Sequence, residues 1–298
     1  MTAVEVSHLH KSYNGNQAVT DLSFSVKPGE LLGLIGPNGA GKSTTIKIMM
    51  DFMKPDSGQV MLLGGPMKEI LKNSIGYLPE ERGLYKRLRA MDQIIYLSSL
   101  KGLDRSTAVD RAEKLLRRTG MLGSESKKVK EMSKGMGQLI QFIVTIIHDP
   151  RLIILDEPFS GLDPVNTEVM KSIIAELRNE GKTIILSTHQ MNQVEELCDR
   201  VLMINHGREV LYGDLQEIKA SYKKHSVLLE AEGETGNLKG VLSRKQHKNI
   251  TELILSPETT AQSILDQLRE KNATINHFEI RKPSLNEIFL QLAGGHEE

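Results

Sequence analysis

Residues 30–53 read ELLGLIGPNGAGKSTTIKIMMDFM: an apolar run, a glycine-rich turn, and then a lysine and hydroxyls that open a second apolar segment. This order predicts a buried strand over 31–35, a phosphate-binding loop, and a packed helix over 44–53. The turn matches the pattern G-x-x-x-x-G-K-[ST], which is typical of loops that bind nucleotide phosphates. The matching positions are Gly36, Gly41, Lys42 and Ser43.

The residue types in this loop fit the chemistry of a triphosphate. Several backbone N–H donors must converge on the phosphates, and Gly36, Gly39 and Gly41 let the main chain approach without Cβ atoms in the way. The following helix adds its unpaired N–H groups and the positive end of its dipole. We expect Lys42 to reach the β and γ phosphates and the Ser43 hydroxyl to ligate Mg²⁺. A chance match of this kind is expected in roughly one chain of this length per hundred.

Length and composition narrow the class of protein. The 298 residues suffice for one sizeable domain plus a small one. The 38 basic and 38 acidic residues balance, which argues against nucleic acid or an anionic bilayer as the main partner. The single cysteine, Cys198, fits a reducing compartment as a small core residue. No secretory leader and no run of about 18 apolar residues is present, so we expect an unexported protein that does not itself span a membrane.

Strand-like and helical segments alternate along most of the chain. Residues 3–35 predict β structure, and the later alternation predicts a parallel sheet covered by helices on both faces. A helical insertion is predicted over about 86–148, between two sheet-forming halves. The main domain is predicted to span 1–221, and a small α+β domain to follow at 222–298, where the composition shifts.

Two further buried strands end in chemically active side chains. The segment RLIILDEP, residues 151–158, ends in Asp156 and Glu157. Without a phosphate loop, these carboxylates would be interpreted as a solvated strand end. With the loop present, an acid at the end of the neighbouring parallel strand is where a Mg²⁺ ligand is expected. A third strand, TIILSTHQ at 183–190, ends near His189.

Together these segments resemble the ATP-binding cassette (ABC) ATPases, in the family's motif order over residues 1 to about 220. GPNGAGKST resembles the Walker A loop, LIILDEP the Walker B strand, SGLD the D-loop and STH the switch histidine. NSIGYLPEERGLY and RKPSLNEIFLQL resemble more particularly the ATPase subunits of bacterial sodium-efflux (NatA-like) exporters. The resemblance implies an α/β P-loop NTPase fold with an N-terminal antiparallel β subdomain, a helical insertion and a small C-terminal α+β accessory domain.

The resemblance also implies roles for the matched residues. Glu157 would polarise the attacking water as general base, and His189 would contact the γ phosphate. Asp156 would hold Mg²⁺, directly or through water, and Tyr13 would stack on adenine. The Walker A residues implied to bind ATP are Gly36, Pro37, Asn38, Gly39, Ala40, Gly41, Lys42, Ser43 and Thr44.

In this family two cassettes enclose two ATP molecules head to tail. The resemblance therefore implies a second ATPase subunit, either an identical copy or a close paralogue. Ser133 and Gly135 would touch the γ phosphate bound to the opposite subunit, and Asp163 would lie across the same interface. Closure would then depend on ATP, and opening on its hydrolysis.

Two departures from the family pattern affect the proposed site. The signature segment, usually LSGGQ, reads MSKGM here; it retains Ser133 and Gly135, while Lys134 adds a cation that could assist phosphate binding or lie in solvent. Glu80 replaces a glutamine that lies near Mg²⁺ in most of the family. A carboxylate there could approach Mg²⁺ or repel the γ phosphate. Glu80 is therefore interpreted either as a functional sensor or as a residue turned toward solvent or a partner.

The preferred hypothesis is an ATPase subunit of an ABC transporter, cytoplasmic and held at the inner face of the membrane by a separate integral-membrane permease. The segment from Glu80 to Leu100 would dock the permease by analogy, and sodium or drug efflux follows from analogy alone. One alternative is a non-transport ATPase of DNA repair or ribosomes, although two cassettes, a long coiled coil and basic tails are missing. The other is a regulatory ATP-binding module, which Glu157 and His189 disfavour.

Overall fold

The computed structural model describes residues 2–81, 83–222, 226–233, 235–281 and 283–293. The chain divides into two compact units, Met1–Leu215 and Gln216–Glu298. This division lies N-terminal to the boundary at 221/222 that the composition shift predicts. Among the described residues, no helix is both long and apolar enough to cross a bilayer.

The first unit contains nine strands and six α-helices within its described residues. The strands are β1 (Val4–Tyr13), β2 (Asn16–Val26), β3 (Leu31–Ile35), β4 (Ser57–Leu62), β5 (Ile75–Leu78), β6 (Leu152–Asp156), β7 (Thr183–Thr188), β8 (Arg200–Asn205) and β9 (Arg208–Asp214). The helices are α1 (Lys42–Met49), α2 (Ala90–Ser99), α3 (Arg105–Arg118), α4 (Lys134–Ile146), α5 (Pro164–Asn179) and α6 (Met191–Leu197), with 3₁₀ turns at Glu69–Ser74 and Val129–Glu131.

The core of this unit is a sheet of six strands in the order β5-β6-β7-β3-β8-β9. All neighbours are parallel except β8 and β9, which form an antiparallel hairpin. Every residue of β3, β6 and β7 is buried, because helices cover both faces of a parallel sheet. The carboxyl ends of these three strands meet at one edge, and the sequence motifs follow them there. The α/β prediction is confirmed.

A separate antiparallel sheet, in the order β2-β1-β4, forms the N-terminal β subdomain. Its apolar face and the central sheet share one core with α1, which includes Leu9, Leu22, Ile46 and Leu202. The helices α2, α3 and α4 lie between β5 and β6 in the sequence and form the helical insertion. In α4 ten of the 13 residues are buried, so this helix runs through the interior rather than along the surface.

The helix after the phosphate loop differs from its prediction at both ends. We predict it over 44–53, and it spans Lys42–Met49. It starts earlier because the chain turns directly from Gly41 into helical geometry. It ends earlier because Asp51 takes a left-handed conformation, with φ 57°.

The second unit has four antiparallel strands in the order β11-β12-β10-β13. Their bounds are β10 (Ser226–Glu232), β11 (Val241–His247), β12 (Ile250–Leu255) and β13 (Thr274–Ile280), and the helices are α7 (Leu215–Ser221), which begins at the division, α8 (Ala261–Glu270) and α9 (Leu285–Ala293). Its core packs Ile264 and Leu268 of α8 against Val227 and Leu253 of the sheet. Arg281 bonds both Glu252 of β12 and Glu287 of α9.

Candidate functional site

The phosphate loop joins β3 to α1, and two of its glycines are required by the packing of the chain itself. A Cβ at Gly36 would lie 2.1 Å from the carbonyl oxygen of Ile204, and one at Gly41 would lie 2.4 Å from that of Ala18. Gly39 differs, because a Cβ there would meet open space and only its φ of 81° favours glycine. Gly36 and Gly41 therefore let neighbouring strands approach the loop.

The turn between β8 and β9 is hydrogen-bonded to the phosphate loop. The N–H of Gly207, between β8 and β9, donates to the carbonyl of Ala40 at 2.9 Å, and the carbonyl of Gly207 accepts from the N–H of Thr20 at 2.8 Å. Since Gly207 bridges the loop and β2, the backbone donors of the loop are held by two elements distant in sequence. This fixed arrangement suits binding to a polyanion.

A cavity of about 290 Å³ opens beside the loop. The residues that line it are Ala18, Asn38, Gly39, Ala40, Gly41, Lys42, Ser43, Thr44, Glu80 and Glu157. All except Ala18 are among the residues predicted from the sequence to bind ATP or Mg²⁺ or to act in catalysis. The structure thus brings together most of the predicted site within one chain.

Lys42 is buried, and its ammonium lies against the loop. Its Nζ donates to the carbonyl oxygens of Gly36 at 2.8 Å and Pro37 at 3.1 Å. Burial lowers the pKa of Lys42, and the negative charges of nearby carboxylates, Glu157 first, oppose that shift. Lys42 therefore places a positive charge against the phosphate loop, beside the cavity.

Asp156, at the end of β6, is almost fully buried. Burial raises its pKa, while the hydroxyls of Ser187 and Ser43 act in the opposite direction. Its Oδ1 atom has no hydrogen-bond partner within the described part of the chain. A buried acceptor without a donor fits a bound cation, and hydroxyl and carboxylate oxygens are ligands that Mg²⁺ prefers. Asp156 and Ser43 therefore fit the magnesium ion that the family implies.

Glu157 follows Asp156 in a left-handed conformation, with φ 49°. Its N–H donates to the carbonyl of Ser187 at 2.9 Å, which links the turn to the end of β7. The carboxylate accepts from the Thr188 hydroxyl at 3.1 Å and from the backbone N–H of His189 at 3.0 Å. The imidazole Nδ1 of His189 lies 2.8 Å from the same carboxylate. Three donors from one strand end thus hold this carboxylate at the cavity.

Glu80 follows β5 and lines the same cavity although it is exposed. Its charge is among the causes that raise the pKa of Asp156 and oppose the lowering of the pKa of Lys42. Glu80 thus lies beside the nucleotide cavity and is at the same time open to solvent, and its role as a sensor stays a prediction.

The signature and D-loop residues are not brought to this cavity. Ser133 is exposed and caps α4, with its Oγ accepting from the N–H of Met136 at 3.1 Å. Asp163 is exposed and caps α5 in the same way, through the N–H of Asn166 at 3.0 Å. The two turns touch each other, because a Cβ at Gly135 would lie 3.3 Å from the carbonyl oxygen of Gly161.

Tyr13 is also outside the group of residues that line the cavity. Its hydroxyl donates to the sulfur of Met53 at 2.9 Å, and the ammonium of Lys11 lies 5.8 Å from its ring centre. The ring is partly exposed, at 42%.

Three residues of this region were missed from the sequence. Ala18 lines the cavity from β2, Thr188 holds Glu157, and Gln141 of α4 donates to the backbone on both sides of Glu80. Thr188 had a signal, since it immediately precedes His189. Ala18 and Gln141 act across 20 or more residues of sequence, and no local spacing indicates them.

Comparison with known proteins supports the same identification. Residues 19–160 match the family model described as ABC transporter, and residues 213–293 match that of the ATP-binding protein DrrA1-3-like C-terminal domain. The chain is 39% identical to the uncharacterized ABC transporter ATP-binding protein YhaQ of Bacillus subtilis, over 97% of this chain and 98% of that protein. It is 28% identical to the daunorubicin/doxorubicin resistance ATP-binding protein DrrA of Streptomyces peucetius, over 98% and 92%.

A solved ATP-binding subunit of an ABC transporter superposes with a TM-score of 0.69 at 32% identity, over 74% of this chain and 93% of that one. The narrower resemblance to sodium-efflux exporters stays a prediction. The matched family models, the full-length relative and the shared fold agree with the geometry of the phosphate loop. The chain therefore belongs to the ATP-binding proteins of ABC transporters, which are ATPases that drive transport.

Proposed function

We propose that this chain powers export through a separate integral-membrane permease, and that ATP draws it into a head-to-tail pair with a second ATPase subunit. One observation carries the proposal: the carboxylate of Glu157 is held by Thr188 and His189 at the cavity that contains Lys42. A buried and oriented carboxylate at a phosphate loop is suited to hydrolysis, and a module that only binds ATP has no need of it.

In this proposal Glu157 accepts a proton from the attacking water. Its two oxygens already accept three hydrogen bonds, yet a carboxylate offers about four lone-pair sites, so room for a water remains. His189 fixes the direction of the carboxylate through both its N–H and its ring. Lys42 supplies positive charge at the floor of the loop, where charge on the transferred phosphoryl group develops.

Ser43, Asp156 and Glu80 are the residues that we assign to Mg²⁺. When bound, the ion would neutralise negative charge on the β and γ phosphates. Asp156 offers a buried oxygen without a donor, Ser43 a hydroxyl on the first turn of α1, and Glu80 a carboxylate at the cavity mouth.

The exposed turns at Ser133 and Asp163 support the paired arrangement. Both residues cap helices, and neither lines the cavity of its own chain. The absence of a side chain at Gly135 lets its turn lie against the carbonyl of Gly161. We assign this joint surface to the ATP that is bound by the second subunit. Tyr13 we assign to adenine, which requires its ring to leave Met53.

A second cavity, of about 310 Å³, offers a surface for the permease. It lies between the end of α1, β5, α2 and α4, and Phe52 and Leu100 on its rim are each 62% exposed. Exposed apolar side chains in one place mark a binding surface. We assign it to an apolar helical segment on the inner face of the permease; Leu97 and Leu100 are the lining residues that fall within the docking region predicted over 80–100. The names of full-length relatives such as DrrA favour a drug-like cargo over sodium.

The test uses Glu157→Gln, which removes the base and keeps the shape of the side chain. We expect ATP hydrolysis to fall by about a hundredfold or more while ATP binding is retained. Light scattering should then show a dimer with ATP and a monomer with ADP. A variant that stays monomeric with ATP at high protein concentration would contradict the paired arrangement. Capture of a polytopic membrane protein by wild type, but not by Leu100→Asp, tests the permease surface.

A further inference from the structure

We propose that Gln141 is a positioning residue for Glu80, and that the carboxylate so placed makes nucleotide binding depend on a divalent cation. The inference deepens the proposed function, since it rests on the ATP site and on the assignment of Glu80 to Mg²⁺. It adds a residue, Gln141, that no motif of the sequence indicates, and a property of binding that can be measured without turnover.

Gln141 grips the main chain on both sides of Glu80. Its Nε2 donates to the carbonyl oxygen of Pro79 at 3.1 Å and to that of Glu81 at 3.4 Å. The side chain is 4% exposed and lies on α4, a helix that is itself largely buried. Its Oε1 atom has no hydrogen-bond partner among the residues that the structure describes. The two hydrogen bonds from one buried amide nitrogen restrain the backbone on both sides of Glu80.

These hydrogen bonds fix the backbone on both sides of Glu80 and so position its negative charge at the nucleotide cavity. Glu80 lines that cavity together with Lys42 and Glu157, and its charge acts on both Lys42 and Asp156. Within the described part of the chain, no salt bridge neutralises Glu80. Three carboxylates therefore surround one ammonium in a place that must accept a polyanion.

Because of this excess negative charge, we expect the site to bind ATP that carries a divalent cation more tightly than metal-free ATP. ATP without a metal ion brings its phosphates close to Glu80, and the like charges repel. ATP that carries a divalent cation presents positive charge to the same carboxylate, and the repulsion becomes attraction. Beside Glu80, the buried carboxylate of Asp156 and the hydroxyl of Ser43 offer the oxygen ligands that such a cation prefers. A glutamine at position 80 would lack the repulsion and so would discriminate less.

Binding measurements on the full chain test both the cation dependence caused by Glu80 and the positioning role of Gln141. Calorimetry would give the dissociation constant for ATP with Mg²⁺ and for ATP with EDTA, and their ratio measures the discrimination. We expect Glu80→Gln to lower this ratio about three- to tenfold, mainly by tightening the binding of metal-free ATP. Gln141→Leu should lower it in the same direction, and Gln141→Met serves as a second variant of similar volume. Glu81→Gln removes an exposed neighbouring charge and should leave the ratio unchanged.

The double variant decides whether Gln141 acts through Glu80. If it does, adding Gln141→Leu to Glu80→Gln produces no further change in the ratio. Additive effects, or a wild-type ratio in both Gln141 variants when thermal unfolding shows that they are folded, would overturn the positioning role. A wild-type ratio in Glu80→Gln would overturn the whole inference. Failure of the wild type to bind ATP under either condition would instead contradict the proposed function.

Discussion

His189 contacts one oxygen of Glu157 twice: its backbone N–H donates to Oε1 at 3.0 Å, and its ring Nδ1 lies 2.8 Å from the same atom. The other oxygen accepts from the hydroxyl of Thr188 at 3.1 Å. Thr188 is the last residue of β7 and His189 directly follows it, so one short segment sets the direction of this carboxylate. The orientation therefore depends on Thr188 as well as on the histidine.

Removing the Thr188 hydroxyl tests this dependence. We expect Thr188→Val to lower kcat for ATP hydrolysis roughly ten- to a hundredfold, because the carboxylate loses a fixed donor and its direction. The KM for ATP should change little, since Thr188 does not line the cavity. Thr188→Ser restores the hydroxyl and should recover most of the rate. An unchanged kcat in the valine variant would show that His189 alone suffices.

Two glycines of the phosphate loop should contribute differently to the free energy of unfolding, and the same substitution at each allows a matched comparison. Gly41→Ala places a Cβ 2.4 Å from the carbonyl of Ala18 at a φ of 109°, and Gly39→Ala meets open space at a φ of 81°. We expect the first to lower the free energy of unfolding by about 3 kcal/mol or more, and the second by about 1 kcal/mol. Urea denaturation of both variants without nucleotide measures the difference. Equal costs would mean that β2 can move away from the loop.

His148 makes the stability depend on pH. Burial, with the nearby charge of Lys101, lowers the pKa of His148 from 6.5 to about 4. Between these values the unfolded chain binds more protons than the folded one, so the free energy of unfolding falls as the pH falls. The contribution between pH 7 and pH 5 is about 2 kcal/mol.

His148→Gln should remove that part of the pH dependence, and its amide can still donate to the carbonyl of Ile75, as the ring Nε2 does at 3.2 Å. Denaturant unfolding at pH 5 and pH 7 compares the two chains, so that titrations common to both cancel. Parallel losses of stability in wild type and variant would refute the assignment to His148.

Arg281 stabilises the second unit through a buried carboxylate. Burial raises the pKa of Glu252, but the hydrogen bond and charge of Arg281, together with Ser226 and Lys245, outweigh burial and lower this pKa. Arg281→Met removes the cation that bonds both Glu252, a residue 3% exposed, and Glu287, and it should lower the free energy of unfolding by about 3 kcal/mol. Faster hydrogen exchange in β10 and β12 would report the loss. Adding Glu252→Gln should recover part of it, and no recovery would contradict the role of the charge.

Much of the fold follows from local patterns in the sequence. The buried strands β3, β6 and β7 are short apolar runs, and Asp104, Ser133 and Asp163 are residue types that favour the N-cap positions they occupy. The phosphate loop was predictable because its chemistry lies within eight consecutive residues, 36–43. Such features depend on neighbours in the chain, so a single sequence suffices to find them.

The remaining features depend on contacts between distant segments. The strand order of the central sheet is set by long-range pairing, and the need for glycine at Gly36 arises from Ile204 in another strand. The grip of Gln141 on the chain around Glu80 spans about 60 residues. The early end of α1 comes from the left-handed Asp51, for which the apolar pattern gives no warning. Such features require the packed chain.

The helix α4 begins at the signature turn, and eight residues after Ser133 its Gln141 holds the segment that carries Glu80. Those two points are about 12 Å apart along the axis of one rigid rod. In a head-to-tail pair, each rod would end at the nucleotide of the other subunit while its middle touches the mouth of its own cavity. In such a pair, α4 would directly connect the turn that faces one nucleotide with the segment that carries Glu80 beside the other.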